Sequence, residues 1–363
     1  MHFQAENTGL VSGIRLVERA VSSSNTLQIL GGIHLQADKN SLTLTANDLE
    51  ISIQTKIECT TFTPGSAVLN GKLLSALVRK LPQGTVIFET KDNQVLISAG
   101  TTEFSLNELI GDEFPAPPKC DRKILSLTDY ELSKLAHSTL FCVGTDDHRP
   151  IFQGVLLEIS NGSLHFVATD SSRLAFAKGE VPFVAAEDLE VIIPGRSLTE
   201  LLKCLPMDES VIDVYYGENQ LAFHFNNTVF TTRLIEGKFP NYRPILYTEQ
   251  EITLTMSRQH FLQAVERAAL FDRTGNQPVI VQVTDGVLEL GIQTELGRSM
   301  EQLNVEHSGS NGQSAYSPRF IMDMLKWTDA DQVTFKFEQG PRQALIKPAD
   351  RDDHLYILMP IRI

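Results

Sequence analysis

Two short acidic segments carry the side chains best suited to catalysis. Asp146-Asp147-His148-Arg149 places two carboxylates beside an imidazole, and Asp350-Arg351-Asp352-Asp353-His354 is a second acidic run. Such groups can hold a metal ion or move a proton. A two-metal site needs several converging carboxylates, and the sequence does not pair the first segment with a second cluster of its kind. We therefore predict a loop for the first segment and a solvated hairpin tip for the second.

Other signatures of chemistry are missing from the sequence. It holds no glycine-rich phosphate loop, HExxH or GxSxG motif. The four cysteines, Cys59, Cys120, Cys142 and Cys204, are spaced neither for zinc nor for a small disulfide framework. The N-terminus lacks the pattern of a signal peptide, and no apolar run approaches the roughly 18 residues of a membrane helix. These features predict a cytoplasmic protein without a metal, a cofactor or a membrane contact.

The chain repeats itself. Leu109-Ile110-Gly-Asp-Glu-Phe114-Pro115 recurs 125 residues later as Leu234-Ile235-Glu-Gly-Lys-Phe239-Pro240. SLTLTANDLEISI from Ser41 recurs 122 residues later as SLHFVATDSSRLAF, and a weaker third copy begins near Val287. Shared offsets in separate motifs indicate an internal repeat. The 363 residues therefore divide into three predicted domains, 1–120, 121–247 and 248–363.

Each repeat has the same predicted order of helices and strands. Alternating segments such as TVIFET, QVLISA, LAFHF and VTFKF are separated by turn residues, which is typical of hairpins. Six helices are predicted, over 8–22, 71–81, 127–138, 196–204, 257–270 and 317–327. Capping boxes at Thr128 and Ser197, an N-cap at Ser257, and Ser317 followed by Pro318 mark four of their starts. Two helices beside antiparallel strands in each repeat predict an α+β fold.

The positive charge is concentrated on these helices. The chain has a net charge of −14, which argues against nucleic-acid binding. The six predicted helices, however, carry twelve Lys or Arg residues against six Asp or Glu residues. If the helices share one face, that face is basic and could hold a duplex through phosphates without reading bases. The alternative is that Lys and Arg merely favour helices and mark a solvated face.

Four further segments are distinctive: Ala168-Thr169-Asp170-Ser-Ser-Arg173-Leu174-Ala175, Gly237-Lys-Phe-Pro240-Asn-Tyr242, Asp146-Asp-His-Arg149 before Phe152-Gln-Gly154, and the ending Tyr356-Ile-Leu-Met359-Pro360-Ile-Arg362-Ile363. Together they resemble segments of a known family, the beta subunit of bacterial DNA polymerase III, or sliding clamp. The resemblance runs from end to end. It implies a DNA clamp fold of three domains, a head-to-tail homodimeric ring with helices lining the hole, and a non-catalytic processivity factor for DNA replication.

The resemblance also implies partners. They are double-stranded DNA bound without sequence specificity, the DNA polymerase III alpha subunit and other polymerases, the clamp loader, and a second copy of the chain. The expected DNA-facing cations are Arg15, Arg19, Lys72, Arg79, Lys80, Lys134, Arg196, Lys203 and Arg267. A pocket for partner peptides is expected at Phe152, Thr169, Arg173, Leu174, Pro240, Ile245, Ser317, Phe320, Ile357, Leu358, Met359, Pro360, Ile361 and Arg362.

This sequence departs from the family at two places. Ser171-Ser172 stands where many relatives have Gly-His or Ser-His, and Pro244 stands where some carry arginine. Both changes lie in the expected pocket wall and alter its peptide preference. Two other interpretations remain open at this point: an enzyme that uses Asp146, Asp147 and His148, and a repeat scaffold that binds only proteins.

Overall fold

The computed structural model describes residues 1–22, 27–110, 113–145, 149–179, 183–184, 187–272 and 277–361. The candidate catalytic residues Asp146, Asp147 and His148 and the pocket residue Arg362 lie outside these ranges. The helices are α1 Asn7–Val17, α2 Gly71–Val78, α3 Asp129–Leu140, α4 Gly195–Leu202, α5 Arg243–Leu246, α6 Arg258–Ala269 and α7 Pro318–Trp327.

The strands number nine in each repeat of the described chain. The first repeat has β1 His2–Glu6, β2 Gly32–Asp38, β3 Ser41–Asn47, β4 Ile51–Glu58, β5 Thr60–Thr63, β6 Gly65–Asn70, β7 Thr85–Lys91, β8 Gln94–Ala99 and β9 Thr102–Asn107. The second has β10 Arg122–Thr128, β11 Gly154–Ser160, β12 Ser163–Thr169, β13 Arg173–Gly179, β14 Phe183–Val184, β15 Leu189–Pro194, β16 Val211–Tyr216, β17 Gln220–Phe225 and β18 Thr228–Arg233. The third has β19 Ile252–Ser257, β20 Val279–Thr284, β21 Val287–Thr294, β22 Gly297–Asn304, β23 Glu306–Gly309, β24 Gly312–Tyr316, β25 Gln332–Phe337, β26 Ala344–Pro348 and β27 His354–Leu358.

The order of elements is the same in all three repeats. A strand leads into a helix, five strands follow, a second helix comes next, and three strands close the repeat. The predicted α+β pattern is therefore confirmed. The equivalent hairpins β11–β12 and β20–β21 turn at Asn161-Gly162 and Asp285-Gly286, where both residues have positive φ, and the β7–β8 hairpin of the first repeat turns in the same way at Asp92-Asn93. Such two-residue turns match the twist of the flanking strands, which is why Asn, Asp and Gly occupy them.

Most helix starts agree with the sequence predictions. The Ser257 side chain accepts a hydrogen bond from the His260 amide at 3.4 Å, as expected of an N-cap. Pro318 is the first residue of α7, and Ser317 occupies the N-cap position without a side-chain cap bond. The capping box at Ser197 is wrong, because α4 already begins at Gly195 and Ser197 lies inside it. The first predicted helix ends earlier than expected, at Val17, and continues as one 3₁₀ turn.

The chain forms two compact units. The first unit contains Met1–Tyr130 and Arg196–Leu234, and holds two sheets. Sheet A has the order β5-β1-β7-β8-β9, and eight strands of sheet B run β10-β16-β17-β18-β4-β3-β2-β6. Helix α1 packs on β3 and β4 and buries Leu10, Ile14 and Val17. Gly13 lets the helix approach closely, because a Cβ there would stand 2.8 Å from Leu44.

The second unit contains Glu131–Gly195 and Ile235–Ile363. Its sheet C has the order β15-β11-β12-β13-β27-β26-β25-β19-β23, and its sheet D has the order β22-β21-β20-β24. Fully buried aromatic side chains, including Phe261, Tyr316 and Phe335, form its core in the third repeat. None of the helices in the described ranges is both long and apolar enough to cross a membrane.

Sheets B and C each join strands of two repeats. In sheet B, β18 of the second repeat pairs antiparallel with β4 of the first. In sheet C, β27 of the third repeat pairs with β13 of the second in the same way. Strands β9, β18 and β27 are equivalent in the repeat, and so are β4, β13 and β22. The corresponding pair, β9 with β22, is not made within the described chain, because these strands are edges of sheets A and D.

Candidate functional site

Arg173 is the most constrained of the predicted pocket residues. Its side chain is 7% exposed and donates to Asp170 at 2.9 Å and to Asp323 at 2.6 Å. Its guanidinium also lies 4.3 Å from the ring centroid of Phe320. Burial alone would lower the pKa of Arg173, but the two carboxylates outweigh it and raise the pKa. The guanidinium is therefore committed to holding the loop before β13 against α7.

The predicted pocket residues on β13 and β27 lie on both faces of sheet C. Arg173 is opposite Leu358, and Leu174 is opposite Ile357. Successive residues of a strand point to opposite faces, so the first pair faces α7 and the second pair faces away from it. Both pairs lie where β13 begins and β27 ends. Residues from the two faces therefore meet only around this end of the sheet.

The second pair belongs to an apolar cluster on its face. Leu174 and Ile357 pack with Tyr242 and Leu246, among others. Pro240, which is exposed, follows Phe239 in this cluster, and Ile245, 38% exposed, precedes Leu246. The segment 239–246 thus covers the sheet and leaves two predicted pocket residues at its surface.

A buried carboxylate fixes this segment. Glu158 of β11 is 3% exposed and accepts hydrogen bonds from the Tyr242 hydroxyl and, at 2.8 Å, from Arg243. Burial by itself would raise the pKa of Glu158, but the hydrogen bonds from Tyr242 and Arg243 reverse this and lower it. His165 lies 3.2 Å from the same carboxylate. Glu158 stays ionised at neutral pH and anchors the covering segment to the sheet.

The C-terminal segment is tied down at both ends of its described part. The Met359 amide donates to the Ser172 carbonyl at 2.9 Å, and the Ile361 amide donates to the Ala315 carbonyl at 2.9 Å. Met359 is 45% exposed despite these bonds. A segment that is held by backbone hydrogen bonds and presents a flexible apolar side chain suits the binding of a peptide.

Two further predicted residues, Thr169 and Phe152, lie near the β12–β13 loop, and a third, Ser317, lies at the start of α7. The Thr169 hydroxyl donates a hydrogen bond to the Arg173 carbonyl at 2.7 Å. The Phe152 carbonyl accepts a hydrogen bond from the Gly144 amide. Gly144 in turn lies beside Asp170, because a Cβ added to this glycine would stand 3.7 Å from the Asp170 Cβ. Ser317 is buried at the start of α7. Ser171 has φ of 74°, a left-handed conformation that favours glycine.

Most of the predicted DNA-facing cations are already paired. Arg196 contacts Asp48 at 2.6 Å and Glu50 at 2.9 Å. The other pairs are Arg19–Glu200, Lys203–Glu200, Arg79–Glu18, Lys134–Asp353 and Arg267–Glu301. Among the described residues, Arg15, Lys72 and Lys80 have no ion pair. Counting charges on helices alone therefore overstated the free positive charge, because strands and loops supply several of the carboxylates.

Sequence reasoning missed the residues that support the site. Asp323 lies 150 residues from Arg173, and Glu158 lies 84 residues from Tyr242. No local pattern marks either partner. The Asp170–Arg173 ion pair could have been predicted from the sequence, because Asp170 stands three positions before Arg173 in the Thr169–Leu174 segment.

Comparisons with known proteins cover the whole chain. Models described as the N-terminal, central and C-terminal domains of the DNA polymerase III beta subunit match residues 1–118, 126–241 and 243–362. The chain is 34% identical to the beta sliding clamp of Halalkalibacterium halodurans and 30% identical to that of Bacillus subtilis, with full coverage of both chains. Its fold matches the crystal structure of the Bacillus subtilis sliding clamp with a TM-score of 0.97 at 30% identity, covering 100% of this chain and 99% of that one. The Pseudomonas aeruginosa beta subunit matches with a TM-score of 0.95 at 26% identity, covering 100% of both chains.

Removing the Arg173 side chain should destabilise the second unit. Arg173→Ala leaves two carboxylates facing an emptied site, which should lower the free energy of unfolding by about 3 kcal/mol. Urea unfolding followed by hydrogen exchange over residues 170–179 measures the loss. Arg79→Ala, which breaks the exposed pair with Glu18, is the matched control and should cost less than about 1 kcal/mol. Equal losses in the two variants would contradict the structural role of Arg173.

Proposed function

The chain belongs to the DNA polymerase III beta subunit family, and from this premise we propose how it works as a DNA sliding clamp. It is a non-catalytic processivity factor. It encircles duplex DNA and tethers the replicative polymerase, so that a polymerase that lets go of the template rebinds before it diffuses away. We propose the three domains 1–120, 121–247 and 248–363, one for each repeat.

The pairing of equivalent strands is the observation that carries the ring. In sheets B and C, the ninth strand of one repeat pairs with the fourth strand of the preceding repeat, β18 with β4 and β27 with β13. Within the described chain, β9 of the first repeat and β22 of the third are the edges that lack such a neighbour. A second copy supplies both missing neighbours. Head-to-tail pairing of β9 with β22 then closes a homodimer at two identical joints.

The side chains on these two edges support the joint. Phe104 on β9 is 42% exposed and Met300 on β22 is 62% exposed, and Leu270 at the end of α6 is 76% exposed. Long edge strands with exposed apolar side chains are templates for pairing with another chain. Their burial in a dimer would remove both the unpaired backbone groups and the apolar surface from water.

The DNA contacts proposed for this ring are non-specific. Arg15 and Lys72 on helices and Lys80 just after α2, which have no ion pair among the described residues, can reach phosphates without breaking existing ion pairs. The paired cations can exchange a carboxylate for a phosphate. Long side chains that contact phosphates alone allow sliding, because no base is read. The acidic remainder of the chain disfavours DNA on other surfaces.

Partner proteins are proposed to bind at the end of sheet C. The DNA polymerase III alpha subunit, other polymerases and the clamp loader would insert a short peptide beside Leu174, Ile245, Ile357 and Met359. The aliphatic walls, the flexible methionine and the anchored covering segment suit an apolar peptide. The four cysteines are all free thiols, which favours the proposed cytoplasmic location.

Topology should govern retention on DNA. When the clamp loader places the protein on circular duplex, the protein should remain bound through gel filtration, and cutting the circle should release it within minutes as it slides off the ends. A mock-cut circle is the control. Equal retention on cut and uncut DNA, or no retention on either, would rule out an encircling ring.

Shortening Met359 should weaken peptide binding without affecting assembly. Met359→Ala removes an apolar side chain from the proposed peptide site and should reduce the affinity for a polymerase-derived peptide about tenfold in fluorescence polarisation. Met207→Ala, which changes a similarly exposed methionine in the first unit, is the matched control. Deletion of residues 359–363 should abolish binding and leave the dimer intact. Unchanged peptide affinity in the deleted protein would remove the C-terminus from the site.

A further inference from the structure

A basic cavity lies within the first unit. Its volume is about 680 Å³, and it lies between α1, β4, the segment after α4 and the β17–β18 hairpin. Arg15, Arg19 and Lys203 line it together with the amides of Asn226 and Asn227. None of the described residues that line it is acidic.

The positive charge of this cavity is only partly neutralised. Arg19 and Lys203 share one carboxylate, Glu200, at 3.2 Å and 2.7 Å. Arg15 has no ion pair among the described residues, and the Nε of Arg19 is buried without a hydrogen-bond partner there. Burial raises the pKa of Cys204 to about 12, so this lining residue is a neutral thiol. Three cations thus lie near one carboxylate. The buried Nε donor of Arg19 lacks an acceptor among the described residues, and this costs folding free energy unless a ligand supplies one.

The corresponding positions of the second unit are filled. Arg15 is the ninth residue of α1, and its counterpart, the ninth residue of α3, is His137. Cys204 stands tenth from the start of α4, and Trp327 stands tenth in α7. His137 and Trp327 stack with ring centroids 4.6 Å apart and planes 5° from parallel. The second unit closes this place with aromatic side chains.

The hairpin beside this place also differs between the units. The β26–β27 hairpin of the second unit brings Asp353 to Lys134 of α3, at 3.6 Å. The equivalent β17–β18 hairpin of the first unit carries Asn226 and Asn227, which bring no charge to the cavity. The second unit neutralises its helix cation internally, whereas the first unit leaves an open space lined by cations.

We propose that this cavity is a phosphoryl-binding site, with Arg15, Arg19 and Lys203 as the cationic ligands. Guanidinium groups bind phosphate oxygens through paired N–H donors, and the buried Nε of Arg19 would gain an acceptor. The space exceeds that of a single phosphate, so a polyphosphate or a phosphodiester with its sugar can enter. The phosphate comes either from a free compound or from a DNA backbone. A free polyphosphate is the ligand that goes beyond the clamp function; a phosphate of the DNA backbone is not, because Arg15, Arg19 and Lys203 are among the cations expected to face DNA.

Two probes distinguish these sources. Inorganic tripolyphosphate is titrated calorimetrically into the full-length protein in chloride buffer, and a short linear duplex is titrated by anisotropy at low salt. The test variant is Arg15→Gln with Lys203→Gln. The control, Lys39→Gln with Lys91→Gln, removes the same charge from exposed hairpin positions of the first unit, outside both the cavity and the expected DNA-facing set. Arg15→Lys with Lys203→Arg keeps the charge, and thermal melting shows that each variant is folded.

We expect tripolyphosphate to bind the unaltered protein and to bind the test variant at least about tenfold more weakly, with the control unchanged and the charge-keeping variant close to the unaltered protein. Loss of duplex binding alone, with tripolyphosphate binding absent from the unaltered protein, is what the proposed DNA contacts of the ring already predict, and it overturns a separate phosphoryl site. Equal losses in the test and control variants, or no loss in either, overturn the proposal. Tripolyphosphate binding is independent of ring closure, so failure of the clamp function would leave this result interpretable.

Discussion

The unpaired backbone of two edge strands is the constraint on which the rest of the account depends. Every repeat contributes its strands to two different sheets, and one of those sheets is completed by the neighbouring repeat. Within a chain of three such repeats, two strand pairs join neighbouring repeats, and the edge strands β9 and β22 remain unpaired. Backbone amides and carbonyls at a sheet edge lack hydrogen-bond partners from a neighbouring strand, and in the proposed ring a second copy supplies that strand. Dimerisation and ring closure follow from the same rule that joins the repeats within the chain.

Charge is managed by pairing as well as by placement. The helices are rich in Lys and Arg, yet Arg196, Arg267 and Lys134 each contact a carboxylate from another element. Exposed pairs of this kind contribute little to stability and exchange readily. In the proposed function, such cations would exchange a carboxylate for a phosphate and would make weak, salt-dependent DNA contacts. A ring that holds DNA by encircling it needs no tighter binding to the phosphates, and tighter binding would slow sliding.

The features that could be predicted from the sequence are those set by residues close together along the chain. The repeat, the turns at Asn161-Gly162 and Asp285-Gly286, and the N-cap at Ser257 all follow from residues within a few positions of each other. Sharing of sheets between repeats could not be predicted, because each repeat has a complete set of strands and nothing in its pattern says which neighbour a strand will choose. The partners of Arg173 and Tyr242 could not be predicted either, because Asp323 and Glu158 are distant from them in sequence. The residues named for the peptide pocket and for DNA contact stay predictions.

Native mass measured together with small-angle X-ray scattering tests ring closure most directly. The chain mass is 40.4 kDa, so the account predicts a particle of two chains whose distance distribution shows a central hole. Phe104→Lys combined with Met300→Lys places like charges on both edges and should yield single chains with each unit still folded. A monomer in the unaltered protein, or a dimer that survives in the double variant with its hole intact, would contradict closure through β9 and β22.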